Sequence, residues 1–165
     1  MTVRACVPED APAIFEIVND AAQAYKGVIP EDRWHEPYMP MQQLLDEMRA
    51  GVRFWGEEDA GELVGVMGLQ DRGEVNLIRH AYVRTKLRNT GCGTRLLRHL
   101  ESLSDKPILI GTWAAATWAI AFYKKNGYRL LGPQGTRRLL RKYWSIPERQ
   151  IETSVVLASP RWHGD

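Results

Sequence analysis

The sequence has no long hydrophobic run. No apolar stretch approaches the roughly 18–20 residues that a membrane-spanning helix needs. The opening segment, Met1 to Asp10, lacks the apolar core of a secretory leader. Cysteine is nearly absent: Cys6 and Cys92 are the only two. Two thiols cannot make a disulfide framework, so a reducing, cytoplasmic setting is expected. The four histidines, His35, His80, His99 and His163, are scattered and show no metal-ligand spacing, so no metal is expected. Charge of one sign is lacking too. Lys and Arg number 22 and Asp and Glu 20, leaving +2, too little to imply nucleic acid or a membrane surface as a partner. Internal repeats and low-complexity tracts are missing as well.

What is present is ordinary for a globular chain. Hydrophobic residues make up 44% and charged residues 25%, which excludes wholesale disorder. A chain of 165 residues suits one domain, 1–165, with a core that needs neither disulfides nor a metal.

Local patterning predicts a mixed α/β (α+β) architecture. Thr2 to Cys6 alternates like a short strand, and Pro8-Glu9-Asp10 opens a helix with Ile14, Ile17 and Val18 on its apolar face. Residues 25–40 carry three prolines and large aromatics, as an ordered covering loop would. Met41 to Ala50 reads as a second helix. Val52–Glu57, Glu62–Leu69 and Glu74–Val83 follow as three strands, separated by turns at Asp59-Ala60-Gly61 and Asp71-Arg72-Gly73. The period then changes. Gly91–Leu103 is helical, Pro107–Thr112 is a buried strand, and Ala114–Asn126 is a helix stopped by Gly127. Strands at Tyr128–Leu131 and Ile151–Ala158 close the chain, the latter with Ile151, Thr153, Val155 and Leu157 on one face. The predicted order is β-α-α-β-β-β-α-β-α-β-β. That order implies a mixed, mostly antiparallel sheet of about six to seven strands flanked by about four helices.

The most informative segment is Ala81-Tyr82-Val83-Arg84-Thr85-Lys86-Leu87-Arg88-Asn89-Thr90-Gly91-Cys92-Gly93-Thr94. It places two spaced glycines between a strand and a helix. A helix start offers unpaired N–H groups and partial positive charge to a phosphate, and glycine removes bulk from its approach. A glycine pair packed for steric reasons fits the spacing equally well. A dinucleotide fingerprint would need glycine at position 96, which is Leu96, and a P-loop would need Gly-Lys-Ser/Thr, where Gly93 is followed by Thr94-Arg95.

Arg88-Asn89-Thr90-Gly91-Cys92-Gly93 resembles the Arg/Gln-x-x-Gly-x-Gly/Ala signature of the GNAT acetyltransferase superfamily. A second segment, Ala119-Ile120-Ala121-Phe122-Tyr123-Lys124-Lys125-Asn126-Gly127-Tyr128, resembles that family's Ala-x-x-Phe-Tyr-x-x-x-Gly-Phe pattern. The element order agrees, so the likeness spans roughly residues 2–158. It implies the GNAT acyl-CoA N-acyltransferase fold and transfer of acetyl from acetyl-CoA to a primary amine in a ternary complex. It further implies that the pyrophosphate sits on the amides of Asn89, Thr90, Gly91, Cys92, Gly93 and Thr94, with Arg88 at the rim. The pantetheine arm would pair with Ala81 and Val83, flanking Tyr82. By the same likeness Tyr123 is the general acid to the departing thiolate, and the Val83 N–H polarises the acetyl carbonyl.

The chain departs from the family at several positions. The strand glutamate that some members use as a base falls at Leu77, and a frequent asparagine falls at Ala116. His80, Glu74 and Glu152 remain as proton acceptors to weigh, each equally readable as a packed or solvated side chain. Trp34, His35, Tyr38, Trp113 and Trp144 are expected to line the acceptor groove, with Trp118 beside the acyl group. Cys92 lies in the phosphate loop and is not expected to be a nucleophile. The missing glutamate leaves a non-catalytic acyl-CoA-binding module as the alternative. A homodimer through edge strands or the aromatic loops is compatible with the sequence.

Overall fold

The computed structural model describes residues 1–164. Seven strands form one sheet, β1 (Thr2–Ala5), β2 (Arg53–Asp59), β3 (Glu62–Asp71), β4 (Asn76–Val83), β5 (Ile108–Trp113), β6 (Arg129–Leu130) and β7 (Ser154–Ala158). Their order across the sheet is β1-β2-β3-β4-β5-β7-β6. Only β4 and β5 run parallel; the other neighbours are antiparallel. The turns at Ala60-Gly61 and Gly73 take positive φ, as tight strand connections require.

Six α-helices cover the sheet: α1 (Ala11–Ala21), α2 (Met41–Arg49), α3 (Cys92–Leu103), α4 (Thr117–Lys125), α5 (Pro133–Tyr143) and α6 (Glu148–Glu152). On one face, Leu96, Leu97 and Leu100 of α3 and Tyr123 of α4 pack on Trp55, Met67, Ile78 and Ile110. The other face is divided. Ile14, Ile17 and Val18 of α1 and Leu44 of α2 cover Phe54, Leu63 and Val66. Leu139, Leu140 and Tyr143 of α5 cover Leu77, Leu109 and Val156. Each fully buried side chain of this kind contributes about 1.5–3 kcal/mol.

Two sequence expectations need correction. Six helices stand where about four were expected, because α5 and the short α6 were not anticipated. Helix α5 starts at Gly132-Pro133 and turns Gly135, Thr136, Leu139, Leu140 and Tyr143 inward, with Arg137, Arg138, Arg141 and Lys142 outward, an amphipathic helix in a stretch where no element was expected. The last strand begins at Ser154, not Ile151. Pro147 starts a helical turn that absorbs Ile151 and Glu152, and Ile151 is buried from it. The loop over 25–40 does cover something. Tyr25 and Ile29 form a small core with Trp113 and Ala116 at the end of β5.

Candidate active site

The site begins where two strands part. β4 pairs with β5 only over Asn76–Ile78, while β5 continues along β7 to Trp113. Arg84 N donates to Val64 O at 2.9 Å. The two-residue period of a strand then turns the Tyr82 backbone toward β3 as well, and turns those of Ala81 and Val83 toward the open edge. A β-bulge sets this phase. Val66 pairs with Tyr82 and Gly68 with Arg79, so Met67 alone opposes His80 and Ala81. His80 takes φ +56 to accommodate it. Before the bulge the even-numbered Asn76 donates toward β5, to Pro107 O at 3.0 Å; after it the odd-numbered residues face that side.

The open edge leads into the glycine loop. After a 3-10 turn at Thr85–Leu87, Asn89 at φ +63 and Gly91 at φ +86 reverse the chain into α3. Among the described residues, the six consecutive N–H groups from Asn89 to Thr94 meet no protein acceptor. Gly91 is required by its φ, and a Cβ there would meet Arg95 Nη1 at 2.8 Å. Gly93 answers a different need. A Cβ there would meet Phe122 Cζ at 3.2 Å, so this glycine lets α3 pack on α4. Arg95 braces the loop from behind. It grips the buried Glu57 carboxylate through Nε and Nη2 at 2.6 and 3.0 Å and reaches the Thr90 carbonyl through Nη1 at 3.2 Å. That grip, led by the hydrogen bond from Arg95, holds the Glu57 carboxyl below its ordinary range.

The edge, the loop and α4 enclose a cleft of about 560 Å³. Ala81, Tyr82, Val83, Arg88, Asn89, Gly91, Cys92, Gly93 and Thr94 line it; Thr90 does not. Tyr123 and Trp118 complete the wall from α4. Burial raises the Tyr123 phenol above its usual value, with a smaller contribution from Tyr25, so the group keeps its proton at neutral pH. Burial, helped by a bond to Glu57, likewise pushes the Cys92 thiol up to about 12. That leaves almost no thiolate for nucleophilic attack.

A second chamber, about 90 Å³, adjoins this cleft at Tyr25 and Tyr82, which line both. Tyr38, Trp113, Trp144, His80 and Arg79 also line it. The Trp113 indole donates to Tyr38 Oη at 2.7 Å, and the Tyr25 and Tyr82 hydroxyls lie 3.4 Å apart. Trp34 and His35 do not reach the chamber; they stack outside it on Tyr38, with centroids 5.9 and 6.4 Å away. Glu74 stands apart as well. It is exposed near the turn before β4 and accepts from Tyr143 Oη at 3.3 Å. Glu152 sits on α6, more than half exposed. Leu77 is buried under α5.

Sequence reasoning missed Glu47. This α2 carboxylate accepts from Arg79 Nη2 at 2.8 Å and from His80 Nε2 at 2.6 Å through Oε1, and from Gln43 Nε2 at 2.9 Å through Oε2. Burial alone would raise its pKa, but the His80 hydrogen bond and the neighbouring positive charge outweigh that and hold it at about 2. The signal was an acid three residues past Leu44, on the inward stripe of an amphipathic helix. Among the described residues, no group of three or more His, Cys, Asp or Glu is placed to hold a metal ion. No described helix is long and apolar enough to cross a membrane.

Residues 50–130 match the family model of the acetyltransferase (GNAT) domain. Among solved structures, the chain is similar to the PaiA N-acetyltransferase of Thermoplasma acidophilum in complex with coenzyme A. The TM-score is 0.72 at 16% identity, over 96% of this chain and 99% of that one. The ribosomal-protein-S18-alanine N-acetyltransferase of Escherichia coli gives 0.67 at 16% identity, over 99% and 96%. A GNAT family acetyltransferase of Elizabethkingia anophelis with acetyl-CoA bound gives 0.61 at 20% identity, over 96% of each chain. A search of curated proteins found no match.

Proposed function

We propose that this chain, whose residues 50–130 match the acetyltransferase (GNAT) domain, is an acyl-CoA-dependent N-acetyltransferase of the GNAT superfamily that carries acetyl from acetyl-CoA directly to a primary amine in a ternary complex. One observation carries the reading. An uncovered strand edge runs straight into six unpaired amides, and Tyr123 stands in the same cleft. An extended amide-bearing arm pairs with such an edge, and a pyrophosphate suits such amides. Two of the similar structures were solved with coenzyme A or acetyl-CoA.

In this reading the pantetheine arm lies along Ala81 and Val83, and the pyrophosphate rests on Asn89 to Thr94 with Arg88 at the rim. The amine enters through the smaller chamber and attacks the thioester carbonyl. A C–N bond forms, the Val83 N–H stabilises the carbonyl oxygen as charge builds on it, and the C–S bond breaks. Tyr123 donates its proton to the departing sulfur. A thiol has a pKa of about 8.5, below that of a phenol at about 10. Donation is therefore uphill unless the proton shed by the amine replaces the one Tyr123 gives up.

An alkylammonium, with pKa about 10.4, leaves roughly one molecule in two thousand as free base at pH 7. A proton acceptor on the amine's side is therefore useful. His80 lines that chamber, whereas Glu74 lies outside both cavities, so the reading assigns the task to His80. The test is thiol release from acetyl-CoA on the purified chain with phenethylamine, spermidine, free lysine and a short peptide with a free amino terminus. Turnover with at least one amine, at a rate above acetyl-CoA hydrolysis, is expected. Acetyl-CoA binding without turnover on any of them would favour a non-catalytic binding module.

A further inference from the structure

The cluster of Glu47, Arg79 and His80 bears on which nitrogen of His80 takes the proton. We propose that Glu47 is a positioning residue that fixes His80 as the Nε2–H tautomer, leaving the Nδ1 lone pair as the acceptor of the proton shed by the amine. This rests on the assignment of His80 as proton acceptor in the acetyl transfer.

The argument is one of donors and acceptors. An ionised carboxylate accepts hydrogen bonds and donates none. Glu47 is partly buried among three donors, Arg79, His80 and Gln43, a setting that keeps it ionised. The 2.6 Å contact between Glu47 Oε1 and His80 Nε2 therefore needs its hydrogen on Nε2. In a neutral imidazole the lone pair then belongs to Nδ1. No hydrogen bond to Nδ1 occurs among the described residues, and His80 is one of the residues that line the chamber.

The ring is also held in place. It stacks on Phe54 of β2 with centroids 6.2 Å apart, and the β4 bulge sets its backbone at φ +56. The charged and titratable groups around it are Glu47 from α2, Arg79 from β4, and the phenols of Tyr25, Tyr38 and Tyr82 across the chamber. The residues lining the chamber include no carboxylate, and Glu47 lies outside it, against His80 Nε2. When His80 gains the proton, Glu47 is the anion placed to stabilise the imidazolium. The ammonium sheds two protons in all. Nδ1 takes the first, which frees the lone pair that forms the C–N bond, and passes it to solvent. The second leaves the nitrogen as the C–S bond breaks and restores the proton that Tyr123 gave to sulfur.

Two measurements on the full chain test this. Long-range proton–nitrogen NMR of the 15N-labelled protein reads the tautomer with no acceptor present, and His80→Asn identifies the His80 signals by their loss. In the wild type a protonated Nε2 and an unprotonated Nδ1 are expected in the neutral ring; the reverse pattern overturns the proposal even if the chain proves to be an active acetyltransferase. The second measurement is the pH profile of thiol release with whichever amine of the panel turns over. Glu47→Gln keeps the shape and removes the charge. It is expected to lower kcat by about 10-fold or more, to leave the KM for acetyl-CoA unchanged, and to move the acid limb of the profile to lower pH. Glu47→Asp, which keeps the charge, is expected to recover part of the rate. An unchanged profile in a folded Glu47→Gln variant overturns the positioning role. Loss of rate in Glu47→Gln with full rate in His80→Asn overturns the route through His80.

Discussion

Arg95 and Glu57 form a two-point fork beneath the glycine loop, with the Glu57 carboxylate only 1% exposed and the Arg95 side chain 43% exposed. The same guanidinium also reaches the Thr90 carbonyl. The pair thus ties the loop with the unpaired amides to β2, the first strand of the antiparallel meander β2-β3-β4.

Replacing Arg95 with alanine strands a buried carboxylate. A loss of about 1–3 kcal/mol in unfolding free energy is expected, from the general cost of an unsatisfied buried acceptor, together with weaker acetyl-CoA binding. Urea denaturation and calorimetry check the two effects. The fork also has a pH signature. Because the folded state lowers the Glu57 pKa, its stabilisation is complete above the ordinary glutamate value of about 4.3. It fades as pH falls through the lower, folded value. The stability gap between wild type and Glu57→Gln is therefore expected to be full at pH 7 and to close in acid.

Tyr123→Phe removes the donor and keeps the ring. The edge-on contacts with Phe122 and Tyr128, at 5.1 and 6.0 Å, need only the ring. Acetyl-CoA affinity is expected to be unchanged, while kcat falls by about 10²- to 10⁴-fold, the usual range for a lost general acid. Equal rates for the two proteins would remove Tyr123 from the chemistry.

Tyr38→Phe breaks the hydrogen bond from Trp113 at 2.7 Å. It is expected to cost about 1 kcal/mol of stability and to raise the KM for the amine without altering acetyl-CoA affinity. Steady-state kinetics with each substrate varied separately checks that split.

Gly93→Ala separates packing from phosphate binding. The new methyl would press on Phe122, so a lower melting temperature is expected, with a smaller effect on acetyl-CoA affinity than any change at Gly91. Thermal melts with and without acetyl-CoA read both.

The meander was legible because its strands alternate and its turns carry Gly61 and Gly73 at positive φ. The loop from Arg88 to Gly93 and the Phe122-Tyr123 segment stood out as motifs, and the structure brings both to one cleft. Other parts left weak traces. The first turn of the inward face of α5 is Gly135 and Thr136, and only Leu139, Leu140 and Tyr143 mark that face as apolar, between the basic residues Arg137, Arg138, Arg141 and Lys142. Ile151 is β-branched and follows a proline-started turn, so it reads as strand when it is helical. The partnership of Glu47 with His80 joins residues 33 apart, through a bulge that spacing alone does not announce. Trp34 and His35 are aromatic loop residues like Tyr38, yet the fold turns them outward to stack on it.

The most direct test of the central claim is calorimetry of acetyl-CoA with the wild type and with Gly91→Glu, after circular dichroism has established that the variant is folded. Glutamate would put bulk and negative charge beside the unpaired amides, at a backbone φ of +86. The account predicts micromolar binding by the wild type and a loss of about 100-fold or more in the variant, or about 2.7 kcal/mol. No binding by the wild type, or equal binding by both proteins, would contradict it.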